Sequence, residues 1–167
     1  MGNTDNKRYS SIEIAKHALN FSIAHFTIFS KSERENIHGH NFQVTCELTA
    51  PVDENGLIFD YNIIKSVIRS ICDEIDEHVV LPGKSPHLKL EYETNHTIAL
   101  FNGERIPFLK RDVTVLPVAN TTVEEFSNYF LHRVLKHPDL SGRGITRMTL
   151  KVSSSPGQTG CSSWEIS

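Results

Sequence analysis

Ile37-His38-Gly39-His40-Asn41-Phe42-Gln43-Val44 carries the alternation on which both fold and chemistry turn, with Phe21-Ser22-Ile23-Ala24-His25 as its upstream counterpart. On an extended strand, side chains at i and i+2 leave the same face, so His38 and His40 can converge on one point. His25 ends another strand-like run, and the loop between the two is long enough to bring the chain back beside itself. Three neutral imidazoles meeting in this way form a zinc site with its fourth position free, the catalytic rather than the structural arrangement. A structural zinc would normally show paired cysteines, and none lies near. His-x-His alone is common on protein surfaces, so its weight comes from the motifs around it.

With 167 residues and a net charge of −3, one domain spanning 1–167 is the natural expectation, long enough for a two-layer core. Basic residues are not gathered into a run, which disfavours nucleic acid as a partner. No apolar run approaches the roughly 20 residues needed to cross a membrane. The polar start Met1-Gly-Asn-Thr-Asp-Asn-Lys-Arg has no apolar core for export, and Asn6 stands where a myristoylation signal wants Ser or Thr. Cys46, Cys72 and Cys161 are few, odd in number and widely spaced, which argues against a disulfide framework. A cytoplasmic protein is expected.

Residues 1–10 read as a loose tail. Ile12 to Ile28 alternates roughly and reads as one strand; 29–36 is a polar loop; His40 to Thr49 alternates again, predicting a half-buried antiparallel hairpin. Asp53-Glu-Asn-Gly56 is a turn, and Asp60 caps a helix whose apolar stripe is Ile64, Val67, Ile68, Ile71, Cys72 and Ile75. Residues 86–118 are strand-like, with a hairpin turn at Asn102-Gly103 and a buried strand over Val113 to Val118. Thr122-x-x-Glu125 is a capping box opening a second helix that stops at His137-Pro138, and Gly144 to Ser153 reads as the last strand. The expected class is α+β: an antiparallel sheet, two helices on one face, and an inserted hairpin region at 83–118.

Four motifs occur in order: Phe21-Ser-Ile-Ala-His25, Glu35-Asn-Ile-His38-Gly-His40-Asn-Phe, Gly56-Leu-Ile-Phe-Asp60-Tyr and Asn120-Thr-Thr-Val-Glu124. Together they resemble the 6-pyruvoyltetrahydropterin synthase family, which includes the bacterial 6-carboxytetrahydropterin synthases. The resemblance covers most of the chain, excepting the first ten residues and a stretch near 83–118. It implies the tunnelling fold, Zn2+ on His25, His38 and His40, a small-molecule pterin substrate, and a homo-oligomer (trimer or hexamer) with active sites between subunits. Unpaired sheet edges give a physical reason for such assembly.

The departures from the family pattern are specific. The mammalian-type and carboxy-forming members use a cysteine shortly before the histidine pair, whereas no cysteine occurs here between 25 and 38. Glu35, three residues before His38, looks like the acid/base of the glutamate subgroup, which converts 7,8-dihydroneopterin triphosphate to 6-hydroxymethyl-7,8-dihydropterin in the folate pathway. The family's adjacent Asp-His pair is matched by Asp76-Glu77-His78, so either His78 keeps the role or Glu77 occupies the histidine's position. Thr122 and Glu124 match pterin-binding positions, though Thr122 is also accounted for by capping. Ser154 falls where the family places a pterin-anchoring glutamate, with Glu165 a candidate substitute.

The reading is therefore a zinc-dependent lyase on a dihydropterin side chain, giving 6-hydroxymethyl-7,8-dihydropterin or 6-pyruvoyltetrahydropterin. The rivals are a related synthase on a non-standard pterin (6-carboxytetrahydropterin type, queuosine pathway) and a zinc-stabilised oligomeric binding protein without turnover.

Overall fold

The computed structural model describes residues 7–166. Its spine is β3 (His38–Pro51), a 14-residue strand in which Phe42, Val44, Cys46, Leu48 and Ala50 are buried and the residues between them are not. That strict period of two fixes one face to the core. Along one edge of β3 lie β1 (Tyr9–Ile14) and β2 (Asn20–His25), end to end and both antiparallel to it. The expected single strand over 12–28 is thus two strands in line, separated by an excursion at residues 15–19. Gln43 plugs the excursion by donating from Nε2 to the Lys16 and Leu19 carbonyls at 2.8 and 2.7 Å. The strand also begins earlier than expected, since Tyr9 and Ser10 are in β1; residues 1–6 of the expected tail lie outside the described residues.

The other edge of β3 pairs with β9 (Arg147–Ser155), which pairs in turn with β10 (Gln158–Glu165). The last strand is therefore β10, not 144–153: Pro156-Gly157 is a hairpin turn rather than the end of ordered structure, and Gly157 has φ 99°. Beyond β2 come β4 (His78–Pro82) and β8 (Val113–Leu116), so the sheet runs β10-β9-β3-β2-β4-β8. Both β2–β4 and β4–β8 are parallel, making the sheet mixed rather than wholly antiparallel. The chain leaves β3, crosses through a helix and returns past β2, and a crossover of that kind yields parallel pairing. Strand β4 was not foreseen; it is five residues long and ends on a proline.

Helices α1 (Tyr61–Asp73) and α2 (Val123–Leu135) cover one face of this sheet. Each is capped as its sequence predicts, with Asp60 accepting from the Asn62 amide and Thr122 from the Glu125 amide. Glu125 reaches back past the cap to the Ala119 amide at 2.8 Å. Phe21 stacks on Phe42 at 4.9 Å between centroids and on Phe130 at 5.5 Å, with Phe126 edge-on. Arg133 grips both carboxylate oxygens of Glu74 and so ties α2 to the end of α1.

The inserted region is more than a hairpin. Strands β5 (Lys89–Tyr92), β6 (His96–Phe101) and β7 (Glu104–Leu109) form a separate antiparallel sheet, whereas β8 belongs to the main one. The alternation in β4 shows where this second sheet sits. Val80 faces the helix core, while Val79 and Leu81 join Val113 and Val115 in a second apolar cluster with Leu88, Ala99 and Phe101. The small sheet therefore covers the β4–β8 end of the main sheet on the face opposite the helices.

Candidate metal centre

The histidines meet because of register. His25 at the end of β2 lies opposite His38, and Ile23 opposite His40, so all three imidazoles leave the helix-covered face at its open end. Ring centroids are 4.8 to 5.4 Å apart, and one nitrogen from each ring lies within 4.8 Å of the others. His25 is 5% exposed, against half-buried His38 and His40. Its Nδ1 donates to the Thr121 carbonyl at 2.9 Å, while its Nε2 is buried without a partner. His38 repeats the pattern, with Nδ1 donating to the Asn36 carbonyl at 2.8 Å. A backbone carbonyl on Nδ1 fixes the tautomer and turns the Nε2 lone pair towards the centre, as metal-ligating histidines require. Burial pushes the His25 imidazole down to about 4, with the Thr121 hydrogen bond opposing and His38 and His40 reinforcing the fall. The ring is therefore neutral near pH 7, and the orphaned Nε2 together with an all-imidazole donor set fits a zinc ion.

Glu35 stands at the rim. Its Oε2 is 3.9 Å from His38 Nε2 and accepts from the Thr27 amide at 2.9 Å, while its own amide donates to the Thr27 carbonyl. Partial burial pushes its carboxyl up; the Thr27 hydrogen bonds and the neighbouring His38 and His25 outweigh that and hold it below the usual glutamate value. The histidines and Glu35 line a cavity of about 400 Å³ whose far wall comes from the start of α2 and from β9–β10: Thr122, Glu124, Ser154, Gln158 and Thr159.

Local bonding explains why α2 starts here. The Asn120 side chain bonds both backbone groups of Ile28, accepting from its amide at 3.1 Å and donating to its carbonyl at 2.8 Å. Thr121, fully buried, donates from Oγ1 to the Phe26 carbonyl. Gly160 of β10 lets the strand run against the helix start, since a Cβ there would lie 2.2 Å from the Val123 carbonyl oxygen and 2.6 Å from the Glu124 amide. Thr121 and Gly160 carry no signal in the sequence, because their work is done by a backbone carbonyl and by the absence of a side chain.

Asp76 and His78 do not line the cavity that holds the three histidines and Glu35. Asp76 accepts from the Ser22 amide at 2.7 Å, and no hydrogen bond joins it to His78 among the described residues. His78 opens β4 rather than closing a helix, in register with Ile23 and on the same side as Val80, and it lines a larger groove of about 1270 Å³ with Ser22, His40, Asn41 and Ser153. Its Nδ1 is buried without a partner. Glu77 between them takes φ 60° and donates its amide to the Ser22 carbonyl, so it makes the bend that separates the pair. Glu165 ends β10 opposite Arg147, six residues beyond Thr159 and so about 20 Å along the strand. It does not replace the missing anchor within this chain.

The model of the 6-pyruvoyl tetrahydropterin synthase family matches residues 13–161. The chain belongs to that family. A Methanocaldococcus jannaschii protein with the provisional name 6-carboxy-5,6,7,8-tetrahydropterin synthase is 27% identical over 145 residues, covering 86% of this chain and 88% of that protein. Among solved structures, the Plasmodium vivax 6-pyruvoyl tetrahydropterin synthase has a TM-score of 0.88 at 28% identity, covering 95% of this chain and 99% of that one. The Plasmodium falciparum protein reaches 0.87 at 27%, covering 96% and 100%. The P. vivax synthase has also been solved with a catalytic glutamate replaced by alanine and, separately, by cysteine. As members of the family, these proteins share the tunnelling-type architecture of helices on a strand-rich sheet described above.

Proposed function

We propose that the protein is a zinc-dependent lyase of the glutamate type, cleaving the side chain of 7,8-dihydroneopterin triphosphate to leave 6-hydroxymethyl-7,8-dihydropterin. The observation that carries this is the Glu35 carboxylate, 3.9 Å from His38 Nε2, in a cavity lined by none of the three cysteines. Cys46 and Cys72 are buried, with burial pushing both thiols up to about 12. A thiol-based route as in the cysteine members has no group to run on here. The glutamate replaced as a catalytic residue in the P. vivax synthase supports the same role for Glu35.

His25, His38 and His40 would hold the metal. Bound there, zinc would supply Lewis acidity, lowering the pKa of a hydroxyl placed on it. Glu35 moves the protons. It accepts the proton of a side-chain hydroxyl as the adjacent carbon–carbon bond breaks and that hydroxyl becomes a carbonyl. It then returns a proton to the carbon left on the ring. Glu124 is the carboxylate in the far wall able to accept the paired N–H donors of a pterin edge, with Thr122 and Ser154 as neutral partners. His78 lines the larger groove rather than this cavity, and from there it would serve a neighbouring subunit in the assembled oligomer.

Incubation with 7,8-dihydroneopterin triphosphate and mass spectrometry of the product tests the reading. Glu35→Gln should keep its zinc and lose turnover by about 10²–10⁴-fold. A 6-carboxy product instead would assign the chain to the chemistry named for its archaeal relatives, and wild-type turnover in Glu35→Gln would remove Glu35 from the mechanism.

A further inference from the structure

We propose that the inserted sheet β5–β7 braces the Glu35 loop, and that Arg34 is the positioning residue through which it acts. The inference rests on Glu35 as the acid/base. Glu35 is held at both ends: its carboxylate by the Thr27 amide, and its carbonyl by Arg34 Nη1 at 2.8 Å. Both holders are rooted in the insertion. Thr27 sits between Phe26 and Ile28, which are 1% and 6% exposed and pack with Leu88, Ala99 and Phe101 of the inserted region. The Arg34 guanidinium carbon lies 5.0 Å from the centre of the Phe26 ring and 5.7 Å from that of Phe101, and Nη2 donates to Glu104 Oε2 at 3.0 Å.

The two-residue turn Asn102-Gly103, with φ 46° and 80°, sets Phe101 directly opposite Glu104. One hairpin thereby supplies both a ring and a carboxylate to a single cation. A guanidinium can lie against rings while donating along two edges; an ammonium cannot hold the same set. The Arg34 side chain is only 17% exposed while that of Glu104 is 61% exposed, so the rings and the Glu35 carbonyl hold the guanidinium more than the open ion pair does. The remainder of the loop is open, with Phe29 59% exposed; its own bonds are those of the Phe29 and Ser30 amides to the Glu33 carbonyl and of the Ser32 amide to the Ser30 hydroxyl, and Ile28 and Arg34 form an isolated antiparallel bridge at its base. Misplacing a catalytic group by about 1 Å can cost about 10²-fold in rate. The brace removes that freedom.

The test uses full-length, metal-loaded protein and the variants Arg34→Ala, Arg34→Lys, Glu104→Gln and Glu35→Gln. Amide hydrogen exchange should quicken at Thr27 and Glu35 in Arg34→Ala, and less so in Glu104→Gln, with β3 and β9 unchanged and zinc content intact. With 7,8-dihydroneopterin triphosphate, Arg34→Ala should lower kcat by about 10–100-fold with KM little altered, and Arg34→Lys should recover part of the loss. Added to Glu35→Gln, Arg34→Ala should cost nothing more, because it acts through a group already removed. Unchanged exchange at Thr27 and Glu35 in both Arg34→Ala and Glu104→Gln overturns the brace. So does an equal fractional loss of kcat with and without Glu35. If Glu35→Gln turns over normally, the acid/base reading falls, and the exchange data still decide whether the sheet orders the loop.

Discussion

His25 carries most of what is unusual in the electrostatics. Its imidazole titrates near 6.5 in the unfolded chain and at about 4 in the folded one, chiefly because it is buried. Above pH 6.5 both states leave it neutral and it contributes nothing to pH dependence. Below that the unfolded chain takes up a proton the folded one refuses, so metal-free protein loses stability between pH 6.5 and about 4, by about 3 kcal/mol from this group. Urea unfolding at pH 7 and pH 4.5, with chelator present, should show a smaller loss in His25→Gln than in wild type. Equal losses would contradict the assignment. The cysteines make a simpler contrast: with Cys46 and Cys72 buried, a thiol reagent should modify Cys161 alone in the native chain.

Two backbone details govern how the elements present the site. At Gly160 an added Cβ would overlap the α2 start, so Gly160→Ala should destabilise the protein by about 1–3 kcal/mol and, on the substrate contact proposed for Glu124, raise KM. Melting temperature and KM together check this, and an unaltered melt would show that β10 can move aside. Glu77 is the opposite case, a residue with a Cβ held at φ 60° where glycine is at ease. Glu77→Gly should be neutral or stabilising by up to about 1 kcal/mol while preserving the bend between Asp76 and His78. Strong destabilisation would mean the side chain contributes more than its backbone costs.

For the whole molecule, what could be read beforehand followed periodicity. The alternation of β3, the stripe of α1, both caps and the Asn102-Gly103 turn were legible because each is a local pattern. The two-strand character of 9–25, strand β4 and strand β10 were not. Leu19 and Gln43 decide the first through contacts across the sheet, and the other two are short or Ser-rich segments that need β2 and β9 beside them. The histidine set was legible from the ordered motifs rather than from the spacing of any one of them, and Glu35 was singled out only by the family resemblance; the place of Asp76 and His78 outside that cavity was not legible, because it depends on a positive φ at Glu77. On the assembly, β8 and β10 end the main sheet with unpaired edges, and sedimentation at micromolar concentration should find an oligomer. A monomer would contradict the family expectation.

The pairing of β3 with β9 has a consequence for biosynthesis. Gln43 pairs with Ser153, so the spine strand waits for about 110 residues of further translation before its second edge is covered. Until then the nascent chain displays Val44, Cys46 and Leu48 on a half-built sheet, a template for any passing strand. Vectorial emergence thus leaves the three histidines assembled early, on the β2–β3 hairpin, while the scaffold that protects them closes last. A ribosome-bound chain halted after α2 should therefore be prone to aggregate in a way the finished protein is not.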